Sequence, residues 1–137
     1  MPVKNSLPLN LPMRVKASPA SVPKMVATVA LREDAAEITR LKELSRTVPF
    51  IAGLVEESAD FRFYNTALYL SDGDIQHVHR KVYLPTYGMF DEQRYYARGD
   101  RIRAFETPFG RAAILVCEDL WHPSTAYIAA LDRALMI

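Results

Sequence analysis

Hydrophobic and polar positions change their spacing several times along this chain, and each change predicts an element. In "EDAAEITRLKELSRTV", Ile38, Leu41 and Leu44 recur at helical spacing and the acids come early, which predicts a helix over residues 34–47. Pro49 ends that pattern and opens "FIAGLVEE", a continuous apolar run of strand length. A second strand, "YNTALYLS", leads through the turn residues "DGD" into "IQHVHRKVYL", so these two runs read as a hairpin. An irregular, Tyr-rich loop follows. Then come "RIRAFET", the turn "PFG" and "RAAILVC", a second hairpin that ends on Cys117. "PSTAYIAALDRA" predicts another helix, with Pro123 in its first turn or Ser124 as its cap, and "ALMI" starts a further apolar strand. Helices interleaved with strands place the chain in the α/β class, and there is no internal repeat.

The first 25 residues break this order. "MPVKNSLPLNLPMRVKASPASVPKM" holds five prolines, and no Asp or Glu occurs before Glu33. Proline removes backbone donors, so residues 1–24 are expected to form an irregular leader ahead of a folded region over 25–137. Elsewhere the composition is ordinary. With 137 residues, half of them hydrophobic, the chain can bury one core, and a net charge of +1 argues against a nucleic-acid partner despite the arginines and tyrosines of "RYYARGDRIR". No run is long and apolar enough to span a membrane, so no membrane partner is expected. A single cysteine excludes an internal disulfide and suits a reducing compartment, which makes a cytoplasmic protein the expectation.

That cysteine is the first candidate for chemistry. Cys117 stands where the apolar run "AAILV" stops and Glu118 and Asp119 begin. A lone thiol packs well as a small hydrophobe, but one at the end of a central strand projects into the crevice where α/β sheets bind ligands. As a nucleophile it needs a base or a cation nearby, and Lys81, at the end of "IQHVHRK", can supply the cation. A metal site is the rival: His77 and His79 share a strand face, and Cys117 and His122 could complete four ligands, although the spacing fits no compact zinc pattern and "HVHR" also reads as an outward polar face. The "RGD" at Arg98–Asp100 is a three-residue match of the kind chance produces.

Two blocks, "HRKVYLPTYGMFDEQRYYARGD" and "FETPFGRAAILVCEDLWHPSTAYIAALDRA", together resemble the carbon–nitrogen hydrolases of the nitrilase superfamily, the first matching that family's lysine motif and the second its cysteine motif. The resemblance runs over residues 25–137. It implies a partial four-layer αββα sandwich in which the strands ending at Lys81 and Cys117 lie side by side. It also implies that Cys117 attacks an amide or nitrile carbon, that Lys81 and the backbone N–H of Glu118 stabilise the oxyanion, and that a thioester is hydrolysed without a metal or cofactor. Glu92 matches a further active-site glutamate, though a solvated loop carboxylate is the alternative. Trp121 and His122 would shape the pocket wall, with core filling an alternative for Trp121.

One element of the family's triad has no counterpart: its general-base glutamate lies well upstream of the lysine, where this sequence has no acid. The expectation is therefore a partial domain of impaired chemistry, its open apolar edge making it self-associate or form a homo-oligomer. A non-catalytic interaction fragment and the glutaminase part of a synthetase, such as a NAD synthetase, remain the alternatives.

Overall fold

The computed structural model describes residues 24–137; the proline-rich leader expected over 1–24 lies, but for Lys24, outside them. In chain order the elements are α1 (Lys24–Val29), α2 (Ala36–Leu44), β1 (Phe50–Glu57), β2 (Phe63–Ser71), β3 (Asp74–Arg80), β4 (Ala104–Thr107), β5 (Gly110–Ala113), α3 (Glu118–Trp121) and α4 (Pro123–Leu131), with a 3₁₀ turn at Glu92–Arg94. Among the described residues no helix is long and apolar enough to cross a membrane.

Alternation along the strands builds two sheets. β1, β2 and β3 form an antiparallel sheet in that order, with Phe50 opposite Leu70 and Tyr69 opposite His77. Leu68 and Leu70 of β2 point one way, onto Ile38 and Leu41 of α2 and the β1 residues Phe50, Ala52 and Leu54. Ala67 and Tyr69 point the other way, onto Phe105 and Ile114. The Tyr69 and Phe105 rings lie 5.1 Å apart, and His77 stacks on Phe105 at 4.1 Å. β4 and β5 make the second, antiparallel sheet, whose opposite face carries Ala104 and Ala113 against Ala129 of α4. The order of layers is thus α2, three-stranded sheet, two-stranded sheet, α4. This is the αββα stacking implied above, in a mixed α/β chain. Each fully buried apolar side chain, Leu70 for one, contributes roughly 1.5–3 kcal/mol to it.

Local rules explain most boundaries. The β2–β3 loop is two residues, Asp72 and Gly73, with φ of 57° and 83°, as a tight hairpin of right-twisted strands requires. Its tip docks on the end of α2, where the Gly73 N–H donates to Ser45 Oγ at 3.1 Å and Ser45 Oγ donates to the Lys42 carbonyl at 2.7 Å. α2 is shorter than the expected 34–47 because Ala35 is already extended at ψ 145° and Ser45 closes the last turn ahead of Pro49. Asp132 ties the end of α4 to the second sheet: it accepts from the Ala104 N–H at 2.8 Å and from Arg111 at 2.9 Å. The terminal run "ALMI" also pairs with that sheet, through a parallel bridge between Ala112 and Met136.

Three expectations are corrected. "IQHVHRKVYL" stops being a strand at Arg80 and "RAAILVC" at Ala113, because the N–H groups of Val82, Tyr83 and Val116 turn to a side chain instead of a neighbouring strand. "HVHR" is not an outward polar face: His79 is 2% exposed and His77 lies against Phe105. β3 and β5 are not side by side in one sheet, but belong to the two sheets that face each other.

Burial of His77, reinforced by repulsion from His79, lowers its pKa from 6.5 to about 4. The unfolded chain therefore binds a proton more readily than the folded one, and stability must fall as pH drops from about 6.5 towards 4. Partial exposure trims the full linkage, so the expected loss is about 1–3 kcal/mol. Urea denaturation at pH 7, 5.5 and 4.5 measures it; the His77→Phe variant should show a much flatter profile over that range.

Candidate active site

Lys81 follows β3 directly, and its side chain is buried to 1% exposure, an unusual position for an ammonium group. Its backbone remains in the sheet, since its N–H donates to the Asn65 carbonyl at 2.8 Å and its carbonyl accepts from Gly99 at 2.8 Å. Gly99 is needed there: a Cβ on it would lie 1.9 Å from the Arg80 carbonyl oxygen. The glycine of the Arg-Gly-Asp tripeptide is explained by that close approach of two backbones. The charge of Lys81 is compensated by Glu92, both of whose carboxylate oxygens accept from Nζ at 2.8 Å.

Glu92 is not a solvated loop carboxylate. Its N–H donates to the Pro85 carbonyl at 3.0 Å, and its own carbonyl accepts from Tyr95 and Tyr96 at 3.0 and 2.8 Å, so the 3₁₀ turn fixes where the side chain starts. Tyr96 lies close enough to feel the pair. Its phenol is pushed up first by burial and then by Glu92, with Lys81 opposing.

Cys117 occupies the turn between β5 and α3 with φ 50° and ψ −105°, and it is exposed. A residue with a Cβ is unfavourable there by about 1–3 kcal/mol, so the surrounding structure must hold this turn in place. The packed-hydrophobe reading does not hold. Glu118 begins α3 beside it, and its Oε2 accepts from Tyr87 Oη at 2.7 Å. That bond is the main cause raising the Tyr87 pKa, followed by desolvation and by the charge of Glu118. His122 stacks on Tyr83 at 3.6 Å with its Nε2 3.7 Å from Glu118 Oε1. Trp121 is 79% exposed, which overturns core filling for it.

The residue that sequence reasoning passed over is Asp119. It is fully buried, and its carboxylate accepts four hydrogen bonds: Oδ1 from the N–H groups of Val82 and Tyr83 at 3.0 and 2.8 Å, Oδ2 from Val116 N–H at 3.1 Å and from His79 Nε2 at 2.8 Å. Burial alone would raise its pKa; the His79 bond and the amides outweigh it and hold the carboxyl below its usual value. Asp119 so joins the segment after Lys81 to the turn that carries Cys117. Among the described residues the thiol and Lys81 share no hydrogen bond, the ammonium giving its bonds to Glu92. The signal in the sequence was a pair of acids, Glu118 and Asp119, directly after an apolar run and the cysteine that ends it.

The metal rival finds no support in the arrangement. Among the described residues no three His, Cys, Asp or Glu side chains are placed to hold an ion, and His79 is occupied by Asp119. A cavity of about 1110 Å³ lies on the α2 side of the three-stranded sheet, lined by Leu31, Ile38, Leu68 and Arg80 among others, and Lys81, Glu92 and Cys117 do not line it.

Removing one member of a buried ion pair leaves the other uncompensated. Glu92→Ala is expected to cost about 3–5 kcal/mol in urea denaturation, whereas the double change Lys81→Met with Glu92→Leu should cost clearly less than Glu92→Ala alone.

Comparison with known proteins places the chain among relatives of one family. The carbon–nitrogen hydrolase family model matches residues 17–137. The chain is 33% identical over 95 residues to a glutamine-dependent NAD(+) synthetase of Thermotoga maritima, covering 68% of this chain and 16% of that protein. It is 34% identical over 103 residues to a β-ureidopropionase of Arabidopsis thaliana, covering 71% and 25%. Among solved structures, a carbon–nitrogen hydrolase of Helicobacter pylori superposes with a TM-score of 0.65 at 33% identity, over 72% of this chain and 35% of that one. The chain thus spans well under half the length of each relative. From the stacked layers, the lysine and cysteine segments and the match across most of its length, the chain belongs to the carbon–nitrogen hydrolase family.

Proposed function

We propose that Cys117 is the nucleophile of a hydrolase acting on the carbon–nitrogen bond of a small amide or nitrile. The observation that carries this reading is the exposed thiol at a strained turn, tied through Asp119 to the segment that bears a buried, ion-paired lysine. For an amide, the sulfur bonds to the carbonyl carbon, the carbon–nitrogen bond breaks, and ammonia or an amine leaves with a proton. Water then cleaves the thioester to a carboxylic acid and restores the thiol. Lys81 and the N–H of Glu118, which as the first residue of α3 has no acceptor within that helix, stabilise the oxyanion. Glu92 holds the Lys81 ammonium in place through both carboxylate oxygens, and His122 and Trp121 border the substrate. The reaction needs no cofactor, and it needs Cys117 reduced, which fits a cytoplasmic setting.

A second reading of the same site rests on Glu118. Its side chain is 15% exposed beside the nucleophile, and among the described residues its nearest basic group is His122 at 3.7 Å. A carboxylate held there favours an amide that also carries an ammonium group, as glutamine does. Relatives named as glutamine-dependent NAD(+) synthetases support it, and the chain would then be the glutaminase portion that supplies ammonia to a synthetase partner.

Residues 1–32 hold no Asp or Glu to take the thiol proton, and base assistance commonly contributes 10²–10⁴-fold. Ammonia release from glutamine and from uncharged amides should therefore be slow, and lost in Cys117→Ala and Lys81→Met. Release that persists in Cys117→Ala contradicts the nucleophile. Under the glutaminase reading, Glu118→Gln should lower the rate with glutamine at least about tenfold while changing uncharged amides little; equal losses for both would remove that reading.

A further inference from the structure

We propose that Asp119 is a positioning residue for the chemistry of Cys117, an assignment that rests on the nucleophile reading above. Its carboxylate holds the Cys117 turn in its strained conformation and fixes that turn against the segment that follows Lys81.

The four donors on Asp119 come from three places in the chain: His79 on β3, Val82 and Tyr83 just after Lys81, and Val116 just before Cys117. A carboxylate alone suits them, since it offers acceptor sites on both oxygens and no donor. The Asp119 N–H donates back to the Val116 carbonyl at 3.1 Å, and Leu120 N–H donates to the Cys117 carbonyl at 3.0 Å, so the turn is closed on both sides of the thiol. Thr125 Oγ1 donates to the Asp119 carbonyl at 2.5 Å and anchors the residue to the start of α4. The lysine and cysteine segments belong to different sheets with no ladder between them, and Asp119 accepts from backbone groups of both. Changing Asp119 to Asn would preserve shape, but it would turn N–H groups towards donors that now have an acceptor.

The single cysteine makes the consequence measurable by two reactions of one sulfur. Acylation by p-nitrophenyl acetate bonds the sulfur to the acetyl carbon, expels p-nitrophenolate and leaves the thiol proton to buffer; it draws on the oxyanion donors. Alkylation by iodoacetamide bonds the sulfur to the methylene carbon and expels iodide and the thiol proton, without using those donors. In Asp119→Asn with an unchanged circular dichroism spectrum, acylation should slow at least about tenfold while alkylation stays within about threefold. His79→Gln, which keeps an N–H for Oδ2, should retain the wild-type ratio of the two rates, and His79→Leu should lower it. An unchanged ratio in folded Asp119→Asn overturns the proposal. Where Asp119→Asn does not fold, a wild-type ratio in His79→Leu overturns it instead. Acylation of the wild-type thiol no faster than that of glutathione would refute the nucleophile reading itself, and the positioning role with it.

Discussion

The site depends on one buried carboxylate. Asp119 has no contact with solvent, and a charge in that position is tolerable only because four donors surround it. Those donors also decide where two strands end. β3 and the run after β5 would continue as strands if their N–H groups had ladder partners; given to Asp119, they bend instead into the segment behind Lys81 and the turn under Cys117. A local polar preference thereby sets the shape of the site on which the proposed chemistry rests.

The four layers supply what that arrangement needs. Ala67, Tyr69, Phe105 and Ile114 hold the two sheets face to face, so chain segments leaving the ends of different sheets meet without sharing a ladder. Lys81 is buried by the same stacking, and a buried ammonium demands a fixed counter-charge. The 3₁₀ turn at Glu92 provides it through backbone bonds to Pro85, Tyr95 and Tyr96. Lys81, Glu92 and Asp119 are therefore all buried or nearly so, while Cys117 is exposed, an arrangement with rigid electrostatics beneath and an accessible sulfur above.

Much of this was legible in the sequence. The run "FIAGLVEE" is β1 residue for residue, and "DGD" marks the β2–β3 turn, since continuous apolarity and positive-φ residues are local signals. Lys81, Cys117 and Glu92 were singled out through motif resemblance; the structure buries Lys81 against Glu92 and leaves Cys117 exposed at a positive-φ turn. The end of β3 was not legible, because Val82 and Tyr83 change partners only when Asp119 arrives from a distant part of the chain, and the Val116 bond to Asp119, though local, depends on the same buried carboxylate. The same reason hid His79: a histidine in a polar-looking "HVHR" run becomes a buried partner only once the second sheet covers it. α3 was missed because its four residues carry no periodicity, and Trp121 reads as core by type although it is exposed in place.

The central claim, that Cys117 carries the acyl group of a carbon–nitrogen bond it has broken, is tested most directly by intact-mass spectrometry of the chain mixed with an amide and quenched in acid. The account predicts an adduct equal to the substrate less ammonia, mapped to the peptide that holds Cys117 and absent when Lys81 is methionine. No adduct at any quench time, or one mapped to another residue, would contradict it.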